Sequence, residues 1–235
     1  GRVLGFGGRT LQKDNKAKYI NSPESLIYLK SKILYGIYFA KQEISKLNNC
    51  YIVEGYTDVI SLHQAGVKNV VSSSGTSLTT EQIKLINRFT KNITILFDGD
   101  AAGLKASFRS IDMILSEGMN VKVVLFPDGE DPDSFANNST QEELMQYLQK
   151  NQQDFITFKT NVLSKDGEND PAKRVEMIKD IASSISQIPD AISRSEYIKV
   201  CGRMLKVKEV DLSKEVTTQK QKIRAPFPSK MDIDK

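Results

Sequence analysis

Three acidic clusters punctuate the middle of this chain, and each follows a short apolar run. Glu54-Gly55-Tyr56-Thr57-Asp58 comes after Tyr51-Ile52-Val53, Asp98-Gly99-Asp100 after Ile93–Phe97, and Pro127-Asp128-Gly129-Glu130-Asp131-Pro132-Asp133 after Val121–Phe126. Carboxylates gathered at one edge repel one another, and the arrangement is tolerable where cations neutralise them or some stay protonated. Mg²⁺ suits such a set, because it takes oxygen ligands and keeps waters and substrate phosphates in its shell. Taken singly, each piece has a plainer reading: Asp-Gly is a turn dipeptide, Asp58 suits a helix cap, and Asp131 and Asp133 suit a surface loop. Taken together, the three clusters predict a metal site.

Other chemistries find little material. Cys50, Cys201 and the single His63 fall short of the four ligands of a structural zinc site and are expected to pack, the cysteines as reduced thiols. No G-x-x-x-x-G-K-[ST] occurs, which excludes a P-loop ATPase, and Gly5-Phe6-Gly7-Gly8 lacks the strand-to-helix setting of a dinucleotide fingerprint. Ser73-Ser74-Gly75-Thr76 offers backbone N–H groups to a phosphate, a weak signal on its own. A phosphatase with Asp98 as nucleophile leaves the third acidic cluster and the basic start unexplained.

The elements that must position the carboxylates read as βαβ units. Apolar, β-branched runs at 51–53, 70–71, 93–97 and 121–126 alternate with helical patterns near Thr57–Ala65, Thr79–Phe89 and Ala101–Glu117. Nearly continuous apolar strands, each followed by a helix, indicate a parallel sheet, and ligands of such sheets bind at the carboxyl ends of the strands. Upstream, Val3–Gly8 reads as a strand and turn, Ser22-Pro23-Glu24 as a helix start, and Ser31–Leu47 as an amphipathic helix. Downstream, Phe155–Leu163, Pro171–Ile188 and Ala191–Leu205 read as helices, and Gln219–Lys235 as a linker or frayed tail. The expected domains are 1–48, 49–150, 151–216 and a tail over 217–235.

Composition agrees with a globular chain of 235 residues, 39% hydrophobic and 26% charged, and no apolar run is long enough to span a membrane. The net charge of +4 conceals a partition. Residues 1–35 hold seven basic and two acidic residues, 36–199 seventeen and twenty-two, and 200–235 nine and five. Basic ends suit a polyanion, and an acidic centre suits divalent cations. The chain opens on Gly1-Arg2 and is expected to be a piece of a longer protein.

The order Glu-Gly-Tyr-Thr-Asp (Glu54–Asp58), Ser-Ser-Gly-Thr-Ser (Ser73–Ser77), Asp-Gly-Asp-Ala-Ala-Gly (Asp98–Gly103) and Pro-Asp-Gly-Glu-Asp-Pro-Asp (Pro127–Asp133) resembles the toprim domain of bacterial DnaG-type primases. Gly1–Arg9, Lys18–Glu24 and Leu34-Tyr35-Gly36 resemble the family's basic subdomain, so the likeness spans about residues 1–205. The resemblance implies an α/β fold: a toprim-type parallel sheet flanked by helices, preceded by part of a basic α+β subdomain and followed by a helical subdomain. It implies DNA-directed synthesis of short RNA primers from ribonucleoside triphosphates on a single-stranded DNA template, in the bacterial cytoplasm at the replication fork, with Mg²⁺ or Mn²⁺ as cofactor. It implies a metal centre of Glu54, Asp98, Asp100, Asp131 and Asp133 supported by Asp58, with Glu54, Asp98 and Asp100 catalytic. Arg9, Lys18 and Lys30 are implied in nucleotide or template binding, Lys30 through its spacing to Leu34-Tyr35-Gly36. A zinc-binding module and a module that meets the replicative helicase are expected to lie outside this stretch. The alternative is a toprim-type metal-dependent nuclease or nucleic-acid-binding fragment, with the same carboxylates.

Overall fold

In the computed structural model, which describes residues 2–10, 19–73, 77–99, 101–166 and 170–224, the chain forms two compact units, Gly1–Phe155 and Ile156–Lys235. The first unit begins with an antiparallel ribbon, β1 (Gly7–Arg9) on β2 (Tyr19–Asn21), so the expected strand lies a few residues later than Val3–Gly8. The ladder sets its place, since Gly7–Arg9 are the residues opposite Asn21–Tyr19. The helix start expected at Ser22-Pro23-Glu24 is an irregular segment instead: the Ser22 N–H pairs with Phe6 O at 2.9 Å, and Glu24 Oε1 accepts the Lys30 N–H at 3.0 Å. A single 3₁₀ turn follows at Lys30–Lys32.

The amphipathic run expected from Ser31 becomes helix α1 (Ile37–Leu47), because Gly36 takes a left-handed φ of 84° and breaks the pattern. A side chain at that position would also lie 3.1 Å from Val70 O, so glycine meets a conformational and a spatial need there. Beside it, Tyr35 and Ser72 exchange backbone hydrogen bonds of 2.9 and 3.1 Å, tying the upstream segment to the edge of the main sheet.

That sheet is built as expected. Strands β3 (Cys50–Val53), β4 (Val70–Ser72), β5 (Asn92–Phe97) and β6 (Asn120–Leu125) run parallel, separated by helices α2 (Tyr56–Gln64), α3 (Thr80–Asn87) and α4 (Ala101–Ser116). Two short helices, α5 (Pro132–Asn138) and α6 (Gln141–Lys150), then lead to an antiparallel edge strand, β7 (Gln153–Asp154), giving the order β4-β3-β5-β6-β7. Every residue of β3 is buried, as the continuous apolar run requires of a strand covered on both faces. On one side of the sheet, fully buried Leu62, Leu144 and Leu148 pack with Val53 and Phe126. Burying each such side chain contributes about 2 kcal/mol. Phe126 stacks on Tyr147 at 5.5 Å and meets Phe135 edge-on at 5.1 Å, and the Tyr147 hydroxyl donates to Leu125 O at 2.7 Å. This aromatic trio fixes α5, and with it Asp131 and Asp133, beside the carboxyl end of β6.

The second unit holds the rest of α7 (Phe155–Asp166) with α8 (Pro171–Gln187), α9 (Ala191–Leu205) and α10 (Glu209–Arg224). Asp170 and Asp190 cap α8 and α9, and Pro189-Asp190 is the break its sequence suggested. Helix α10 continues to Arg224, past residue 216, where the tail was expected to begin. Leu212 and Val216 are buried, so this polar segment earns its helix from packing, not from its own periodicity. Residues 225–235 lie outside the described residues. Cys50 and Cys201 are buried free thiols, as expected. Among the described residues no helix is long and apolar enough to cross a membrane.

Candidate metal and nucleotide site

The carboxyl edge of the parallel sheet carries Glu54, Asp58, Asp98, Asp131 and Asp133 of the predicted acidic residues. Glu54 leaves β3 exposed to solvent, and Gly55 then opens α2 with an extended backbone. Asp58, three residues on, turns its carboxylate back to accept the Gly55 N–H at 2.8 Å. The helix-cap reading of Asp58 therefore holds, and the same geometry buries this carboxylate to 8% exposure.

The second and third clusters meet through backbone. Gly99 N donates to Glu130 O at 3.0 Å, and Phe126 N donates to Phe97 O at 3.0 Å. A Cβ on Gly99 would stand 2.1 Å from Pro127 O, so the glycine between Asp98 and Asp100 is required by close approach of two loops. Asp131 caps α5, accepting the Ser134 N–H at 2.6 Å, while the Ser134 hydroxyl accepts the Asp131 N–H and donates to Glu130. Asp133 accepts from the Ser61 hydroxyl of α2 and from Asn137 Nδ2 at 2.8 Å. The expected loop carboxylates thus belong to a helix start, and one of them ties α5 to α2.

Electrostatics link these groups. Burial pushes the Asp58 carboxyl up to about 6, the Gly55 N–H opposes that rise, and the charges of Asp98, Asp131 and Asp133 add to it. Three of the predicted acids therefore act on a fourth, Asp58, across one edge. Asp100 lies outside the described residues, and among the described residues no three Asp, Glu, His or Cys side chains converge as a metal ion requires. The donor set is nonetheless of carboxylate oxygens, and a divalent cation would offset both the burial that chiefly raises Asp58 and the smaller repulsion that its neighbours add.

The basic candidates divide. Arg9, exposed on the ribbon, donates through Nη1 to Thr57 Oγ1 at 3.0 Å, next to Asp58 in sequence. Tyr56 supports the same contact: its hydroxyl donates to Asn21 Oδ1, and its ring meets Tyr35 edge-on at 4.6 Å. Lys30 opens the 3₁₀ turn, half-buried. Lys18 lies outside the described residues. Sequence reasoning missed Ser61, Ser134 and Asn137, which hold the acids, and fully buried Gln82, which holds the Lys30 turn. Thr79-x-x-Gln82 was legible as a capping box; the longer reach of Gln82 was not.

A cavity of about 320 Å³ opens between the sheet and α4, lined by Glu54, Ser73, Ser77 and Leu78 and by Ser107, Ser110 and Ile111 of α4. Its lining includes the end of β3 and the approach to α3.

Known proteins share this organisation. Residues 51–136 match the Toprim-like family, residues 1–41 the N-terminal domain of the DNA primase catalytic core, and residues 156–209 the DnaB-helicase binding domain of primase. The last match corrects the expectation that any helicase-meeting module lies outside this stretch: it falls on the helical second unit, whose helices carry no short signature motif for a reader to find. A DNA primase of Halalkalibacterium halodurans is 40% identical over 201 residues, covering 85% of this chain and 33% of that protein. The chain thus spans about a third of the length of the curated relatives it matches. A DnaG primase catalytic domain bound to ssDNA shares 34% identity with a TM-score of 0.74, covering 86% of this chain and 66% of that one. A DNA primase domain from Pseudomonas aeruginosa shares 31% identity with a TM-score of 0.80, covering 92% of this chain and 68% of that one. With primase families matched from the basic ribbon through the parallel sheet to the helical unit, the chain belongs to the DnaG-type DNA primase family.

Proposed function

We propose that this chain is part of the catalytic core of a bacterial primase, which synthesises short RNA primers on single-stranded DNA by metal-dependent nucleotidyl transfer. One observation carries the reading: in a chain of this family, Asp58 is buried at a sheet edge where the charges of Asp98, Asp131 and Asp133 also reach it, and Arg9 is bonded to Thr57 beside it. Glu54, Asp98 and Asp100 would hold Mg²⁺ or Mn²⁺, with Asp58 in support and Asp131 and Asp133 available to a further ion. Such ions, when bound, activate a 3′-hydroxyl and neutralise phosphate charge. The chain's own residues orient the reactants. Arg9, Lys18 and Lys30 bind the nucleotide's phosphates or the template backbone, and the capped start of α5 keeps Asp131 and Asp133 at the edge before any ligand arrives.

The DnaB-helicase binding match over 156–209 supports a replicative helicase as partner of the second unit, and the ssDNA-bound relative supports a single-stranded template. The setting is the cytoplasm at the replication fork. The test is incubation with template, ribonucleoside triphosphates and Mn²⁺: parent chain extends primers, and Asp98→Asn abolishes extension at unchanged thermal stability. Retained synthesis by Asp98→Asn, or cleavage of the template in place of synthesis, overturns the assignment.

A further inference from the structure

Gln82 has no part in the acidic edge, yet its buried side chain is fully engaged in hydrogen bonds. It is fully buried at the start of α3, and its amide nitrogen donates to two backbone carbonyls far away in sequence, Lys30 O at 3.0 Å and Ile33 O at 2.8 Å. Its amide oxygen accepts the Thr79 N–H at 3.0 Å, so both ends of the group are used. One residue of the same cap reaches the same turn: the Thr79 hydroxyl donates to Ser31 O at 2.5 Å. Without Gln82, Ile33 O loses this donor and Lys30 O keeps a 3.4 Å bond from Ile33 N.

The turn so held, Lys30–Lys32, carries two lysines. Its anchor points are adjacent to the cavity that Glu54 lines, since Ser77 and Leu78 of the same lining lead directly into Thr79. Downstream, the Tyr35–Ser72 bonds and the close seat of Gly36 fix the chain again within a few residues. A lysine-bearing turn stapled at both ends loses little conformational freedom when it meets a polyanion, and this preorganisation favours binding. An apolar residue of equal size at 82 would pack as well; a buried amide aimed at the backbone of a basic turn specifies where that turn sits.

We propose that Gln82 is a positioning residue that acts through Lys30, setting the lysine's place for a nucleic-acid phosphate. The inference rests on the primase reading above, in which Lys30 contacts nucleotide or template. The experiment uses the 235-residue chain, a fluorescein-labelled single-stranded DNA oligonucleotide and anisotropy over a range of salt concentrations, with parent, Gln82→Met, Lys30→Ala and the double variant. Gln82→Met keeps the length and removes every donor.

The expected result is that Gln82→Met weakens binding by about fivefold and Lys30→Ala by about tenfold, with the double variant no weaker than Lys30→Ala. Both single variants also flatten the salt dependence by about 0.7 in log–log slope, the value of one lost phosphate contact on a single strand. Mn²⁺ affinity stays at the parent value. A purely structural Gln82 lowers the unfolding temperature but leaves the salt slope at the parent value, or adds its loss in full to that of Lys30→Ala; either result overturns the inference. If Gln82→Met does not fold, Thr79→Val severs the bond to Ser31 O and carries the same expectation at smaller size. A parent chain with no salt-dependent binding at all overturns the primase reading itself, an outcome distinct from the other two.

Discussion

The two edges of the parallel sheet are built on opposite principles. At the amino edge Asn49, Asn69, Asn92 and Asn120 stand at the starts of β3, β4, β5 and β6, and they answer one another. Asn69 Nδ2 donates to Asn49 O at 2.8 Å, Asn92 Nδ2 to Asn48 O at 3.0 Å, Asn120 Nδ2 to Asn92 Oδ1 at 2.8 Å, and Thr94 Oγ1 to Asn49 Oδ1 at 3.0 Å. Neutral amides that donate and accept close such a network as the chain folds. The carboxyl edge gathers groups of one sign, which no internal pairing of their own kind can satisfy. One edge is finished by folding; under the proposed function, the other is finished by the cations it binds. Substitutions at the amino edge should cost stability and spare function, and those at the carboxyl edge should do the reverse.

The largest effect lies at the carboxyl edge. Glu54→Gln and Asp98→Asn should each lower nucleotidyl transfer by at least about a thousandfold, and calorimetric Mn²⁺ titration should show the loss of binding behind it. Thermal unfolding of both variants should match the parent. A destabilised but metal-binding variant would erase the contrast between the edges.

At the amino edge, Asn49→Ala removes the acceptor of Thr94, whose side chain is fully buried. A buried hydroxyl left without its partner costs about 1–3 kcal/mol, read as a lower denaturant midpoint at unchanged slope. Metal affinity of the folded protein should not move. Any loss of Mn²⁺ binding beyond the unfolded fraction would show that the two edges are coupled.

Asp58 sharpens the comparison because folding works against its charge. Its folded pKa of about 6 lies above the ordinary 3.8, so the protonated group stabilises the fold below 3.8 and that contribution is lost as pH rises through about 6. Asp58→Asn keeps an oxygen for the Gly55 N–H and removes the charge, so at pH 7 the metal-free variant should be more stable by on the order of 1–2 kcal/mol. The gain should vanish below pH 4, where parent and variant are both neutral at this position, and added Mg²⁺ should raise the unfolding temperature of the parent more than that of the variant. Equal stability at pH 7 would mean that burial and the neighbouring charges do not oppose the Asp58 carboxylate as placed.

The sequence made the parallel strands and their acidic ends plain because both are local signals: a β-branched run and the residues that follow it. Glu54, Asp58, Asp98, Asp131 and Asp133 all fall where the strand-end argument put them. What stayed hidden is long-range. Ser61 reaching Asp133, Gln82 reaching Lys30 and Tyr56 reaching Asn21 each join residues tens of positions apart, and no periodicity announces such a pair. Gly99 was read as half of a turn dipeptide, whereas its need arises from Pro127 on another loop. The helix expected after Ser22-Pro23 failed for the same reason, since Glu24 is taken by the Lys30 N–H before a helix can use it.

The smallest expected effect comes from a position where two terms oppose. Asn48 ends α1 in a left-handed conformation, φ 48° and ψ 38°, and its side-chain oxygen accepts from the buried Thr90 hydroxyl at 2.9 Å. Asn48→Gly loses that bond, worth about 1 kcal/mol, but glycine occupies the left-handed region more readily than asparagine and recovers part of it. The bond from Asn92 ends on the backbone oxygen of residue 48 and survives either substitution. Asn48→Gly should therefore sit within about 0.5 kcal/mol of the parent. Asn48→Ala, which loses the bond and must force a Cβ into the same conformation, should cost about 2 kcal/mol. If both variants fall together, the side-chain bond dominates and the amino edge is held by its amides; if glycine is more stable than the parent, backbone conformation dominates and the amide network contributes less than its geometry suggests.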